Sequence, residues 1–125
     1  MSNPFVFITT HRIRPGQLER FKTLNTEYLA LVEAHEPRMQ AHFTYLSADG
    51  SEASLVQVHP DAESADHHLE VVGPRLAEAA ELVDNVAIEV YGEPGPRVQA
   101  ALAHNVEAGV PVRVNNQALG GFRRS

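Results

Sequence analysis

Met39 to Val58 reads MQAHFTYLSADGSEASLVQV, two alternating runs on either side of a polar joint. In the first run Met39, Ala41, Phe43 and Tyr45 fall on one side and Gln40, His42 and Thr44 on the other, the two-residue period of a strand. Ser47 to Ser51, SADGS, carries Asp-Gly, a pair that tolerates the positive φ of a tight turn. The second run, Ala53 to Val58, is therefore expected to fold back antiparallel on the first, and Pro60 closes it.

A hairpin in mid-chain limits what can flank it. Upstream, Phe5 to Ile13 is rich in β-branched and aromatic residues and reads as a strand, broken by Arg14-Pro15-Gly16. From Gln17 to Glu36 the period turns helical, and Pro37 ends it. At about 100° per residue, Leu18, Phe21, Leu24, Tyr28, Val32 and His35 share a core-facing stripe that also holds Asn25. Downstream, Asp61 is the expected N-cap of a second helix with Ala62, Ala65, Leu69, Val72 and Leu76 as its apolar stripe, interrupted at Gly73-Pro74. Asn85 to Tyr91 reads as the last clear strand. The order is β-α-β-β-α-β, an α+β, ferredoxin-like fold with an antiparallel sheet.

Helices of such a fold cover one face of the sheet. Phe5 and Phe7 point one way and Val6 and Ile8 the other, so the second face also needs a cover. A second copy of the chain, making a homodimer, is the economical one. The GEPGP segment, Gly92 to Pro96, marks a boundary between a domain over residues 1–95 and an extension over 96–125. The extension is read as a short helix from Arg97 to Ala108, an edge strand from Val110 to Val114 that joins the partner's sheet, and a mobile polar end.

The 125 residues suffice for one core, and 43% apolar against 21% charged residues is globular. A net charge of −6 opposes a nucleic-acid surface, which needs a basic stripe, and no basic amphipathic face suits anionic lipid. There is no cysteine, so disulfide and thiolate chemistry are excluded. The N-terminal MSNPFVFITT is no charged leader and no long apolar run occurs, so a cytoplasmic location is expected.

His59 to Pro74, HPDAESADHHLEVVGP, mixes His59, His67 and His68 with Asp61, Glu63, Asp66 and Glu70. On a helix His68 sits about 75° from the centre of the apolar arc and His67 nearly opposite it, so only His68 can reach a pocket, and the two diverge too far to share an ion. The carboxylates read as a solvated face. A three-histidine zinc site would need His11, His42 and His59 to converge, which strand register decides; no short spacing supports it, and neither metal nor cofactor is expected.

The element order, the strand followed by RPGQLERFKTL (Arg14 to Leu24), and SADHHL (Ser64 to Leu69) with His68 directly before Leu69, together resemble the antibiotic biosynthesis monooxygenase-like family over roughly residues 5–95. The resemblance implies a dimeric α/β barrel and the activity of a cofactor-independent monooxygenase on aromatic, polyketide-like molecules. Haem-degrading members combine Asn, Trp and His, and this chain has no Trp. On this reading His68 or His35 is the base, Asn25 and Tyr28 orient substrate oxygens, and Phe21 and Leu69 offer apolar surface. The alternative is a non-catalytic ligand-binding or assembly module of the same fold. An open pocket with His68 in its wall favours the enzyme, and a filled one the module.

Overall fold

The turn expected at Ser47–Ser51 is held by one carboxylate: Asp49 Oδ1 accepts from Ser47 Oγ, Ser51 N and Ser51 Oγ at 2.9, 3.0 and 2.7 Å. Gly50 follows at φ 73°, a left-handed value that a glycine takes without strain. On either side run β2 (Ala41–Leu46) and β3 (Glu52–His59), antiparallel, with Phe43 opposite Val56. The computed structural model describes residues 3–124; Met1, Ser2 and Ser125, the outermost residues of the two expected segments, lie outside the described residues.

The other elements are β1 (Phe5–Ile13), α1 (Leu18–His35), α2 (Ala62–Val72), a 3-10 turn (Gly73–Arg75), α3 (Leu76–Ala80), β4 (Val83–Tyr91), α4 (Pro96–Glu107) and β5 (Val112–Asn115). The sheet order is β2-β3-β1-β4-β5, antiparallel except for the last pair. Asp61 caps α2 as expected, its side chain accepting from Ser64 N at 2.9 Å. At Gly73-Pro74 the α-helix gives way to the 3-10 turn, because the proline ring removes a donor and crowds the preceding turn. β4 begins two residues before the expected Asn85; a register shift between Thr10 and His11 breaks the plain alternation there.

One core joins Phe5, Phe7, Ala65, Ile88, Val90, Val98 and Leu102; a second joins Ile13, Phe21, Ala53, Leu82 and Val83. Val98 and Leu102 come from α4, so the segment after Pro96 packs on the sheet. The expected exchange of the last strand into a partner's sheet is corrected here. β5 lies parallel to β4 of its own chain, with Ile88 opposite Val112 and Val90 opposite Val114. The helix between them supplies the crossover that parallel neighbours require, making β4-α4-β5 a βαβ unit.

Asp66 is also corrected, from a solvated carboxylate to a cap. Its Oδ1 accepts from Val98 N at 3.0 Å, at the start of α4, and a Cβ on Gly95 would stand 2.3 Å from Asp66 Oδ2. Asp66→Ala should cost about 1–2 kcal/mol, the range for a lost N-terminal cap, read as a lower urea midpoint. An unchanged midpoint would return Asp66 to the solvated face.

Strand pairing also sorts the faces. Phe7, Gln57 and His42 lie in register under the helices, while Ile8, Val56 and Phe43 lie in register on the open side. Phe43 and Tyr45 there are 57% and 60% exposed.

Candidate active site

Alternation along β2 puts His42 and Thr44 beneath α1. Asn25 Oδ1 accepts from Thr44 Oγ1 at 2.8 Å, and Tyr28, nearly one turn further along α1, brings its hydroxyl 3.2 Å from His42 Nε2 and 2.8 Å from His68 Nε2. His68 is buried, and its Nδ1 lies 2.8 Å from Glu36 Oε2, whose side chain is buried as well. Glu36 reaches that place because Pro37 disfavours helical geometry in the residue before it. At φ −130°, ψ 70° Glu36 leaves the helix as its C-cap.

The proton positions follow from donor and acceptor inventory. A carboxylate only accepts, so His68 Nδ1–H donates to Glu36. In the neutral form of the His68 ring, Nε2 accepts the Tyr28 O–H and the phenol oxygen accepts from His42 Nε2–H. Burial, and then repulsion from His68, push the His42 pKa down to about 4, so this ring is neutral at pH 7. Burial, reinforced by the charge of Glu36, raises the Tyr28 pKa, so the phenol holds its proton. Beneath the row, His59 is wholly buried, with Nδ1 2.8 Å from Ser64 Oγ and Nε2 3.0 Å from Gln57 Oε1. Its pKa is likewise lowered to about 4 by burial first and neighbouring histidines second.

Of these groups Asn25, Tyr28, His68 and Gln57 line a cavity of about 990 Å³ between sheet and helices, while Glu36, His42 and His59 stand behind them. Of the residues singled out in the sequence, Phe21, Asn25, Tyr28, His68 and Leu69 line it. His35 does not: it is exposed, and Glu36 beside it carries the buried function. A sign of this was present, since Glu36 stands four residues after buried Val32, on the same side of the helix. His42, Gln57 and His59 were not assigned to a pocket from the sequence because register alone brings them under α1 and α2. His67 is exposed and 3.6 Å from Glu70, as a residue of the outer helix face should be. His11, His42 and His59 all face the helices but are spread along the strands, and no set of three or more ligand-type side chains among the described residues could hold a metal ion. A smaller cleft of about 390 Å³ is edged by Glu19, Glu27, Glu78 and Glu81 and has no histidine or tyrosine, so the inner cavity is the candidate.

No family model and no curated protein matches the sequence. Solved structures do match it in shape. MupZ from Pseudomonas fluorescens superposes with a TM-score of 0.75 at 20% identity, covering 98% of this chain and 96% of that one. SnoaB, a cofactor-independent oxygenase from Streptomyces nogalater, gives 0.63 at 14% identity over 76% of this chain and 97% of its own. A proposed antibiotic biosynthesis monooxygenase from Caulobacter crescentus gives 0.63 at 16% identity, over 70% and 86%. The chain has the antibiotic biosynthesis monooxygenase-like fold. Within that fold, the match to MupZ extends over nearly the whole chain, and so over α4 and β5. Here α4 walls one end of the cavity through Ala101, His104 and Asn105, while the Glu36–His68–Tyr28–His42 row belongs to α1, α2 and β2. No helix among the described residues is long and apolar enough to cross a membrane.

Proposed function

We propose that the protein is a homodimeric, cofactor-independent monooxygenase of a phenolic, aromatic, polyketide-like molecule. The observation that carries this reading is the Glu36–His68–Tyr28–His42 row, whose Tyr28 and His68 line a cavity of about 990 Å³. Pockets for drug-sized ligands run from about 300 to 1,000 Å³. A cavity filled by side chains would have favoured the ligand-binding module instead. The description of SnoaB as a cofactor-independent oxygenase supports the reaction class.

His68, held in one tautomer by Glu36, is the base, and Tyr28 is the group through which its proton passes to and from the substrate. Removing a proton from an activated ring CH2 gives a carbanion delocalised onto the phenol or ketone oxygen. That anion reduces O2 and bonds to it. Cleavage of the O–O bond then leaves one oxygen as a new carbonyl and releases the other as water with the two hydrogens of the CH2. Carbon loses four electrons and O2 gains four, so no further reductant is required. Phe21 and Leu69 offer the ring surface, and Asn25 a polar contact.

Anthrone is the simplest probe. After dialysis against EDTA, the protein in an oxygen electrode should consume one O2 per anthraquinone formed, well above the uncatalysed rate. With 18O2, one labelled atom should enter the new carbonyl. If hydroxylated anthrones bind and none is oxidised, the protein is a ligand-binding module and the enzyme reading falls.

A further inference from the structure

The hydrogen bonds around Gln57 fix which end of its amide meets the cavity. His59 is wholly buried beneath α2 and uses both ring nitrogens: Ser64 Oγ lies 2.8 Å from Nδ1 and Gln57 Oε1 lies 3.0 Å from Nε2. An amide oxygen only accepts, so His59 Nε2–H donates to Gln57 and the Ser64 hydroxyl donates to Nδ1. Burial keeps His59 neutral, with a pKa of about 4, so this one-donor, one-acceptor arrangement persists at pH 7. The amide oxygen of Gln57 is thereby committed. Its NH2 group, two donors, has no acceptor among the described residues, although Gln57 itself is 6% exposed and lines the cavity. Gln57 also stands directly opposite His42 across the β2–β3 pair, next to the ring that holds Tyr28.

We propose that the Gln57 amide is the donor that binds a carbonyl oxygen of the substrate and stabilises the negative charge arriving there when the base removes a proton. The inference rests on the reading of the cavity as a proton-transfer site. It narrows the substrate class to ring ketones whose enolate oxygen can face β3 while the acidic carbon faces His68 and Tyr28. His59 and Ser64 are positioning residues. They touch no substrate, and their buried bonds keep the amide from turning over. A donor placed where charge develops contributes more in the transition state than in the ground state, so its loss should fall mainly on kcat.

Gln57→Glu separates this role from a structural one. A carboxylate still accepts from His59 Nε2–H, so the buried chain stays satisfied, but the cavity side becomes an acceptor. Two measurements on the full chain read the result. Equilibrium titration with anthraquinone and with anthracene compares rings that differ in their carbonyl oxygens; wild type should prefer anthraquinone about ten-fold, the value of one good hydrogen bond, and Q57E should lose the preference. In anthrone oxidation Q57E should lose about 10²–10³ in kcat, with KM changed only a few-fold. If Q57E melts well below wild type, Gln57→Met, similar in size and without a donor, is read in the same assays. A wild type with no carbonyl preference, or a variant that keeps both the preference and the turnover, overturns the Gln57 assignment. A wild type that prefers anthraquinone but oxidises no anthrone, with the preference lost in Q57E, upholds the carbonyl site while the oxygenase reading falls.

Discussion

Glu36→Ala is expected to lower the unfolding free energy by about 3–5 kcal/mol, because it leaves the buried His68 Nδ1–H without its acceptor and strips any charge on that ring of its counter-ion. For a domain whose whole stability is of order 5–15 kcal/mol, that is a large fraction, and the melting temperature should fall by more than ten degrees. The double variant Glu36→Leu, His68→Leu should recover most of the loss, since removing both partners removes the desolvation cost along with the attraction. Turnover separates stability from chemistry. The stable double variant should be as inactive as His68→Ala, with kcat reduced by about 10²–10⁴, the usual contribution of a positioned general base. Urea unfolding of the three variants and anthrone oxidation by the folded ones check this. A His68→Ala protein with normal turnover would remove His68 from the mechanism, and a Glu36→Ala protein of unchanged stability would show that the pair is unimportant to the fold.

Val56→Asp should turn a dimer into a monomer. The open face of the sheet carries Val6, Ile8, Val56 and Val58 in register, with Phe43 and Tyr45 more than half exposed. A contiguous apolar face of this kind is unusual on a monomer, and a second copy placed face to face buries it with the same residues on both sides. A carboxylate at the centre of that interface would have no partner, and its desolvation is costly enough to dissociate the pair. Sedimentation at micromolar concentration should give twice the chain mass for wild type and the single chain mass for Val56→Asp, with the far-ultraviolet spectrum unchanged. Tyr91→Asp should act in the same direction, Tyr91 being opposite Val6 on that face. Leu55, one residue earlier on β3, lies opposite Thr9 under the helices, so a charge there should unfold the protein rather than dissociate it. A wild type that sediments as a single chain would refute the dimer.

The contrast between Leu55 and Val56 illustrates a general limit. Along β3, Ala53, Leu55 and Gln57 alternate with Ser54, Val56 and Val58, and each set mixes apolar with polar residues. Periodicity shows that a strand is present but leaves open which set faces the helices, until pairing with β1 and β2 decides it. The hairpin, both principal helices, the Asp61 cap and the break at Gly73-Pro74 were legible because each depends on residues a few positions apart: Asp-Gly in a turn, apolar residues three and four apart, a proline that cannot continue a helix. Tyr28, Asn25 and His68 were legible as inward-facing polar groups for the same reason.

What the tertiary structure decided involves partners distant in sequence. At the end of α1, His35 and Glu36 both flank the direction of Val32, and helical period alone does not choose between them; Pro37 pulls Glu36 out of the helix and His68, 32 residues away, gives it a donor. The last strand had edge character in the sequence, but whose edge it joins depended on α4 packing Val98 and Leu102 into the core and returning the chain along β4. Gln57 read as an ordinary strand residue, and His59 as one of three histidines whose convergence depended on register, until pairing set both under the helices, His59 bonded to Ser64 of α2. Local pattern determines which elements form and which way their side chains can point, because it acts through bonds between near neighbours. The site is made where α1, α2, β2 and β3 meet, and only the register and packing of those elements determine which polar groups share a proton there.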